Sequence, residues 1–93
     1  MLTLDTDLHI PAHVLFTVVG QDAVLLNTLT SKYYSLNEVG ARFWSLLAEG
    51  KTFRETHQVL LVEFEVEAPQ LEQDLLELVG HLHENNLIET MKA

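Results

Sequence analysis

Histidine is the residue type of this 93-residue chain best suited to bind a metal or act as a general base. His81 and His83 are two positions apart in a segment that predicts a helix, so their side chains point about 200° apart and cannot hold one ion together. His57 lies on another predicted helix and could approach one of them. Two histidines without a third ligand are a weak indication of zinc. We therefore expect surface or boundary histidines and no metal site.

The other residue types that carry chemistry are equally unpromising. The chain has no cysteine, which excludes a thiol nucleophile, a disulfide and a thiolate metal site. Its three serines, Ser31, Ser35 and Ser45, lack the flanking glycines of a nucleophile elbow. The HExxH, GxxxxGK[ST] and GxGxxG motifs do not occur. The sequence therefore predicts no enzyme, no catalytic residue and no cofactor.

The net charge of the chain limits which classes of partner it can bind. Fourteen acidic residues against five basic ones give a formal net charge of −9, and nine of the fourteen acids follow Thr52. Nucleic-acid binding relies on lysine and arginine to neutralise phosphates, so this composition disfavours DNA, RNA and anionic membranes as partners. The start of the chain has no secretory signal, and no apolar run could span a membrane. We expect a cytoplasmic protein that attracts basic segments.

The first half of the chain predicts an antiparallel meander. β-branched and aromatic residues fill residues 13–19, 23–27 and 33–36, and short turn segments separate them. Residues 1–12 show weak periodicity and contain Pro11, which predicts a flexible N-terminal arm.

The second half predicts three helices. Asn37 is a suitable N-cap for the first, and Thr52 with Glu55 forms a capping box for the second. Pro69 suits the first turn of the third helix, which is expected to end near Glu84. Phe43 and Trp44 of the first helix are expected in the core. A short extended segment over residues 87–89 closes the domain, and residues 90–93 are predicted to be a tail.

Two features suggest a binding surface. The segment from Lys32 to Leu36 is the last strand of the meander and could leave one edge unpaired, although short edge strands often have no function. The third helix carries a core stripe of leucines, and Leu76 and Val79 extend it on one side. An apolar shoulder beside an open strand suits a peptide groove. The same residues could equally complete a small core.

Several of these segments together resemble one known family. They are residues 21–27 (QDAVLLN), 32–44 (KYYSLNEVGARFW), 52–55 (TFRE), 64–66 (FEV), 71–74 (LEQD) and 86–88 (NLI). The pattern is similar to the PqqD-like family of peptide-recognition domains, also called RiPP recognition elements, and it covers about residues 13–89. One departure is Asn27, where many relatives carry an acid. We expect little consequence, because asparagine suits a strand-to-turn junction equally.

The resemblance implies an α+β, winged-helix-like fold of three strands followed by three helices, as a domain over residues 13–89. It implies binding of a precursor peptide's leader segment by β-strand addition, and delivery to a modifying enzyme such as a radical-SAM enzyme or a leader peptidase. Products such as lasso peptides and quinone cofactors both remain open. The implied peptide-binding residues are Lys32, Tyr33, Tyr34, Ser35, Leu36, Leu75, Leu76, Val79 and His83.

The acidic third helix favours a leader that carries lysine or arginine near its anchoring residues. The protein is expected to be a monomer or a weak homodimer. The alternative function is a winged-helix DNA-binding regulator, which the topology allows and the charge disfavours.

Overall fold

A computed structural model describes residues 2–91 of the chain. It has an α+β fold in which a three-stranded antiparallel sheet precedes three helices, as the sequence predicts. The strands are β1 (Asp7–His9), β2 (Val14–Val19), β3 (Asp22–Asn27), β4 (Lys32–Leu36) and β5 (Glu89–Met91). The helices are α1 (Glu38–Ala48), α2 (Phe53–Phe64) and α3 (Ala68–Glu84).

The main sheet has the order β2-β3-β4, so β3 is central and the other two strands form its edges. A two-residue turn at Gly20 and Gln21 joins β2 to β3, and Gly20 has the positive φ of 67° that glycine adopts without a steric penalty. The next connection, residues 28–31, returns the chain so that Asn27 pairs with Lys32 and Ala23 with Leu36.

Local signals set the helix boundaries where the sequence predicts them. The Asn37 side chain accepts a hydrogen bond of 2.9 Å from the Gly40 N–H at the start of α1. At α2 the Glu55 N–H donates to Thr52 Oγ1 and the Thr52 N–H donates to Glu55 Oε1, which completes the capping box. After α3, Asn86 takes the left-handed φ of 57° that ends the helix.

The core lies between the inner face of the main sheet and the three helices. Phe43 and Trp44 are both buried, as predicted; Trp44 stacks on Phe16 of β2 with ring centroids 6.4 Å apart. His57 is buried and its Nε2 lies 3.1 Å from the Ala68 carbonyl oxygen, so it ties α2 to the start of α3. Among residues 2–91, no group of three or more histidine or carboxylate side chains could hold a metal ion.

Each end of the chain contributes a short strand. β1 pairs antiparallel with β5, which joins the predicted arm, residues 1–12, to the predicted tail, residues 90–93. Leu4 reaches the core, and Asp5 Oδ1 accepts a 2.9 Å hydrogen bond from Arg54 Nε. Strands of three residues are too short to show a periodic pattern, so this pairing has no signal in the sequence. Met1, Lys92 and Ala93 lie outside the described residues.

Candidate binding groove

The outer edge of β4 offers backbone hydrogen-bonding groups. The Thr28 N–H donates to the His13 carbonyl, which fixes the alternation of paired and unpaired groups along the whole sheet. By that alternation Lys32, Tyr34 and Leu36 direct their backbone groups to β3, whereas Tyr33 and Ser35 direct theirs away from the sheet. In the part of the chain that the structure describes, no strand pairs with this edge.

A cavity of about 400 Å³, called the apolar chamber below, opens where β4 ends. It lies between the start of α1, the end of α2 and residues 70–81 of α3. Val39, Phe64, Val66 and Leu78 supply much of its apolar lining. The complete lining is Asn37, Val39, Gly40, Phe64, Val66, Gln70, Leu71, Asp74, Leu75, Glu77, Leu78 and His81.

A smaller cavity of about 130 Å³, the polar notch, lies where β4 begins. It separates the start of β4 from the end of α3, and its lining is Asn27, Thr30, Lys32, Tyr33, Tyr34, Glu84, Asn85, Asn86 and Leu87. The notch therefore lies at the start of β4, the chamber lies beside Asn37 just after its last residue, and α3 borders both cavities. We call the β4 edge and these two cavities together the groove.

Asn27 holds the notch end of the groove together. Its side chain is almost completely buried, with 2% exposed. Its Oδ1 accepts hydrogen bonds from the N–H groups of Leu29 and Thr30, and its Nδ2 donates to the carbonyl oxygens of Asn85 and Asn86. One amide thus joins the β3–β4 turn to the end of α3. A carboxylate could accept the first two bonds but could not donate the others, so Asn27 matters more than the sequence suggested.

The wall that α3 contributes is predominantly acidic. Asp74 and Glu77 border the apolar chamber and Glu84 borders the polar notch, whereas Lys32 is the single lysine or arginine in the two linings. Asp74 Oδ1 accepts a 2.8 Å hydrogen bond from Gln70 Nε2 on the previous turn. The groove is therefore apolar at its base and negatively charged at its rim.

Most of the residues predicted for the site from the sequence lie in or beside the groove. Lys32, Tyr33 and Tyr34 line the notch, and Leu75 lines the chamber. Ser35 is exposed on β4, and Leu36 is buried beneath it with 3% exposed.

Three predicted residues of α3 are not brought to the groove. Val79 is fully buried in the core, and His83 is exposed and lines neither groove cavity. Leu76 lies in a separate depression with Pro69, Glu72, Gln73 and Glu77. The apolar stripe of α3 has two sides, and the side that carries Asp74, Leu78 and His81 lines the apolar chamber beside Asn37. The sequence favoured the opposite shoulder because Leu76 and Val79 extend the stripe on that side.

Four apolar residues of the chamber are not among those predicted from the sequence: Val39, Phe64, Val66 and Leu78. By helical spacing Leu78 belongs to the core stripe with Leu71, Leu75 and Leu82, yet it is only partly buried. Val66 remains 42% exposed in the short link between α2 and α3. A valine between Glu65 and Glu67 is the sequence signal for this position.

Two solved structures are similar to this chain over most of its length. One is described as TbiB1 in complex with the TbiA(beta) leader peptide; it is 33% identical, with a TM-score of 0.82, over 90% of this chain and 98% of that chain. The other is described as lasso peptide synthetase B1 complexed with the leader peptide; it is 26% identical, with a TM-score of 0.79, over 89% and 98% of the two chains.

Comparison with curated protein sequences finds no match. No helix in residues 2–91 is long and apolar enough to cross a membrane. The model of the family described as coenzyme PQQ synthesis protein D (PqqD) matches residues 22–88, which is well over half of the chain. The resemblance inferred from the motifs is thereby confirmed, and the chain belongs to the PqqD family.

Proposed function

We propose that this chain binds the leader segment of a ribosomally made precursor peptide in the groove and presents it, in the cytoplasm, to a modifying enzyme. The observation that carries the proposal is the unpaired β4 edge beside the apolar chamber. It gains support from the two similar structures, each of which is described as a complex with a leader peptide.

The leader would bind as an added strand. Tyr33 and Ser35 each offer one N–H and one C=O at the free edge, which allows four ladder hydrogen bonds. Alternate side chains of an added strand point to opposite faces of the sheet. One set would therefore face the helices, where the apolar chamber can take a large apolar side chain near Leu36.

The proposed peptide-binding residues follow from this geometry. The strand residues are Lys32, Tyr33, Tyr34, Ser35 and Leu36. On α3 we propose Leu75 and Leu78 in place of Leu76, Val79 and His83, because the former two line the chamber.

The negative charge of the groove favours a leader peptide that carries basic residues. Asp74, Glu77 and Glu84 present carboxylates along the α3 wall. A leader with lysine or arginine beside its apolar anchor would be attracted to this wall and would associate faster at low salt. The same carboxylates weigh against the alternative of a DNA-binding regulator, whose third helix would have to approach phosphates.

The direct test is titration of a fluorescently labelled leader, from the precursor encoded beside this chain, with fluorescence polarisation as the readout. Two α3 leucines give a matched pair, since both are partly buried but lie on opposite shoulders. We expect Leu78→Ala to weaken binding about fivefold, which corresponds to about 1 kcal/mol of lost apolar contact. Leu76→Ala should change the affinity by less than about twofold.

Three outcomes would contradict the proposal in different ways. No binding of the leader, even with the modifying enzyme present, would exclude the function. A larger effect of Leu76→Ala than of Leu78→Ala would keep leader binding but move the site to the other shoulder of α3. Tight, salt-sensitive binding to DNA in a gel-shift experiment would favour the regulator instead.

A further inference from the structure

The second edge of the main sheet lies along β2, on the side away from the groove. By the alternation that the His13–Thr28 hydrogen bond fixes, Phe16 and Val18 direct their N–H and C=O groups away from β3. Within residues 2–91 no strand pairs with this edge. β2 therefore presents two donors and two acceptors to another chain, and its sequence VLFTVV has no charge or proline to prevent pairing.

A cavity of about 290 Å³, called the second cavity below, opens under this edge. Phe16 and Val18 border it from β2, Ala41 from α1 and Phe64 from the end of α2. The Val18 side chain points to the helix face of the sheet, as that of Phe16 does, yet it is 61% exposed. The inner face of the sheet is therefore open at this end of β2, and an apolar side chain from another chain could cover it.

Carboxylates surround the same end of β2. Glu38 and Glu63 line the second cavity, and Asp22 is the cross-strand partner of Val19. Arg42 is the single basic residue of the cavity lining, and it donates two hydrogen bonds of 2.9 Å to the Glu63 carboxylate. In the part of the chain that the structure describes, no basic side chain lies within ion-pair distance of Asp22 or Glu38. Two carboxylates without a cation therefore flank this end of the strand.

We propose that β2 binds an extended segment of the modifying enzyme, in which an apolar side chain is followed or preceded by lysine or arginine. The segment pairs as an added strand with the outward backbone groups of Phe16 and Val18. Its apolar side chain enters the second cavity, and its basic side chains lie beside Asp22 and Glu38.

The alternation of side chains determines which residues of the segment make each contact. Residues opposite Phe16 and Val18 point to the helix face of the sheet, where the second cavity lies. Residues opposite Thr17 and Val19 point to the outer face, where Asp22 is the neighbour of Val19. An apolar residue opposite Val18 therefore meets the cavity, and a lysine or arginine opposite Val19 meets the Asp22 carboxylate.

The charge of the chain selects this kind of occupant. A formal net charge of −9 attracts a basic partner and repels an acidic one. A second copy of this chain is repelled, and its own β2 has no basic residue to place beside Asp22 or Glu38. The leader has the larger cavity of the groove at the β4 edge, which leaves β2 for the protein that receives the leader.

The identity of the partner rests on the proposed function, since an enzyme that receives a leader from the groove must contact the chain at another surface. Neighbouring strands lie about 4.8 Å apart, so the β2 and β4 edges are about 10 Å apart and can be occupied together. Phe64 lines both the apolar chamber and the second cavity. It is therefore left unchanged in the experiment, so that each edge can be tested alone.

Biolayer interferometry with the modifying enzyme encoded beside this chain tests the β2 edge, with and without the leader present. Val18→Lys and Val62→Lys are a matched pair, because both replace an exposed valine and change the net charge equally. Val62 lies on α2, outside the groove and the second cavity. We expect Val18→Lys to weaken enzyme binding at least about tenfold and Val62→Lys to change it by less than about twofold. Both variants should bind the leader with wild-type affinity, which also shows that they fold.

A second pair of variants tests the charge contribution. Glu38→Gln should slow the association of the enzyme about threefold at low salt, and added salt should reduce this difference. Glu72→Gln removes a carboxylate from α3, outside the second cavity, and should leave the association rate unchanged.

The possible outcomes separate this proposal from the proposed function. Equal enzyme affinity of Val18→Lys and Val62→Lys would overturn the proposal and leave leader binding intact. If Val18→Lys weakens leader binding as much as enzyme binding, the leader occupies this edge and the proposal is wrong. It is also wrong if sedimentation velocity shows a wild-type dimer that Val18→Lys abolishes, since a second copy is then the occupant. A chain that binds the enzyme through β2 but binds no leader would refute the proposed function alone.

Discussion

The buried amide of Asn27 gives a prediction that can be worked through in numbers. The change Asn27→Asp replaces one side-chain atom and keeps the acceptor for the Leu29 and Thr30 N–H groups. It removes the donor to the Asn85 and Asn86 carbonyls, which lie at 3.2 Å and 3.5 Å. A carboxylate oxygen then faces two carbonyl oxygens at a site that is 2% exposed.

Leaving a buried polar group unsatisfied costs about 1–3 kcal/mol, and more when the group is charged. Asn85 and Asn86 are themselves exposed, so water can relieve part of this cost on the carbonyl side. We therefore expect Asn27→Asp to lower the free energy of unfolding by about 2 kcal/mol at neutral pH. With a denaturant slope of about 1–2 kcal/mol/M, the urea midpoint should fall by about 1–2 M.

Urea unfolding can be followed by fluorescence of Trp44, which is the single tryptophan and is 2% exposed. The matched control is Asn37→Asp. Asn37 accepts a bond from the Gly40 N–H at the N-terminus of α1, where an aspartate caps equally well. The free energy of unfolding of this control should match that of the wild type within about 0.5 kcal/mol.

The change of this stability loss with pH provides a second test. Burial beside two carbonyls raises the pKa of the carboxyl introduced by Asn27→Asp, and we expect this to outweigh the N–H groups of Leu29 and Thr30, whose hydrogen bonds lower it. The protonated form can donate to the Asn85 carbonyl, so the loss of stability relative to wild type should be small at acidic pH and grow as the pH rises through the folded pKa. Equal midpoints for the two variants at neutral pH, or a loss that grows on acidification, would refute this reasoning.

Further predictions concern backbone, charge and the strand edge. Gly80→Ala in α3 should stabilise the fold by about 0.5–1 kcal/mol in urea unfolding, because an added Cβ meets no atom within 4 Å; a loss of stability would contradict this. Hydrogen bonds from Thr52 lower the pKa of the Glu55 carboxyl, so the stability that this carboxylate contributes is present above its ordinary, unfolded pKa and is lost as the pH falls through the lower folded pKa. Acid unfolding should therefore show a smaller difference between Glu55→Gln and wild type at low pH than at neutral pH. Ser35→Pro removes an N–H from the free β4 edge and should weaken leader binding at least about tenfold in the polarisation titration; unchanged affinity would exclude strand addition there.

Local sequence signals were sufficient for most of the architecture. Two helices begin at side-chain caps, Asn37 for α1 and Thr52 with Glu55 for α2, which bond to residues three positions away. The third helix ends at Asn86 through its left-handed φ angle. Runs of β-branched and aromatic residues, separated by turn segments, identified the strands of the main sheet. The motif between residues 32 and 44 was enough to suggest the family, and the third strand of the meander was identified as an edge.

The placement of residues around the groove required the tertiary structure. Leu78 lies within the leucine stripe of α3 and Leu76 lies beside it, and helical spacing alone does not say which side of the stripe lines the chamber. That rotation depends on contacts between distant residues, including those of Asn27 with Asn85 and Asn86. The same holds for β1 and β5, which are each three residues long and form a sheet by pairing across almost the whole chain.

The sequence by itself thus determined the kind of protein: an acidic α+β domain of the PqqD family with an exposed strand edge. Only the tertiary structure decided which backbone groups of Tyr33 and Ser35 point outward and which leucines of α3 line the apolar chamber. The physical reason is the sequence separation over which each kind of interaction acts. Caps and periodicity act over one or two turns of chain, whereas a binding groove is made by segments that lie far apart in the sequence.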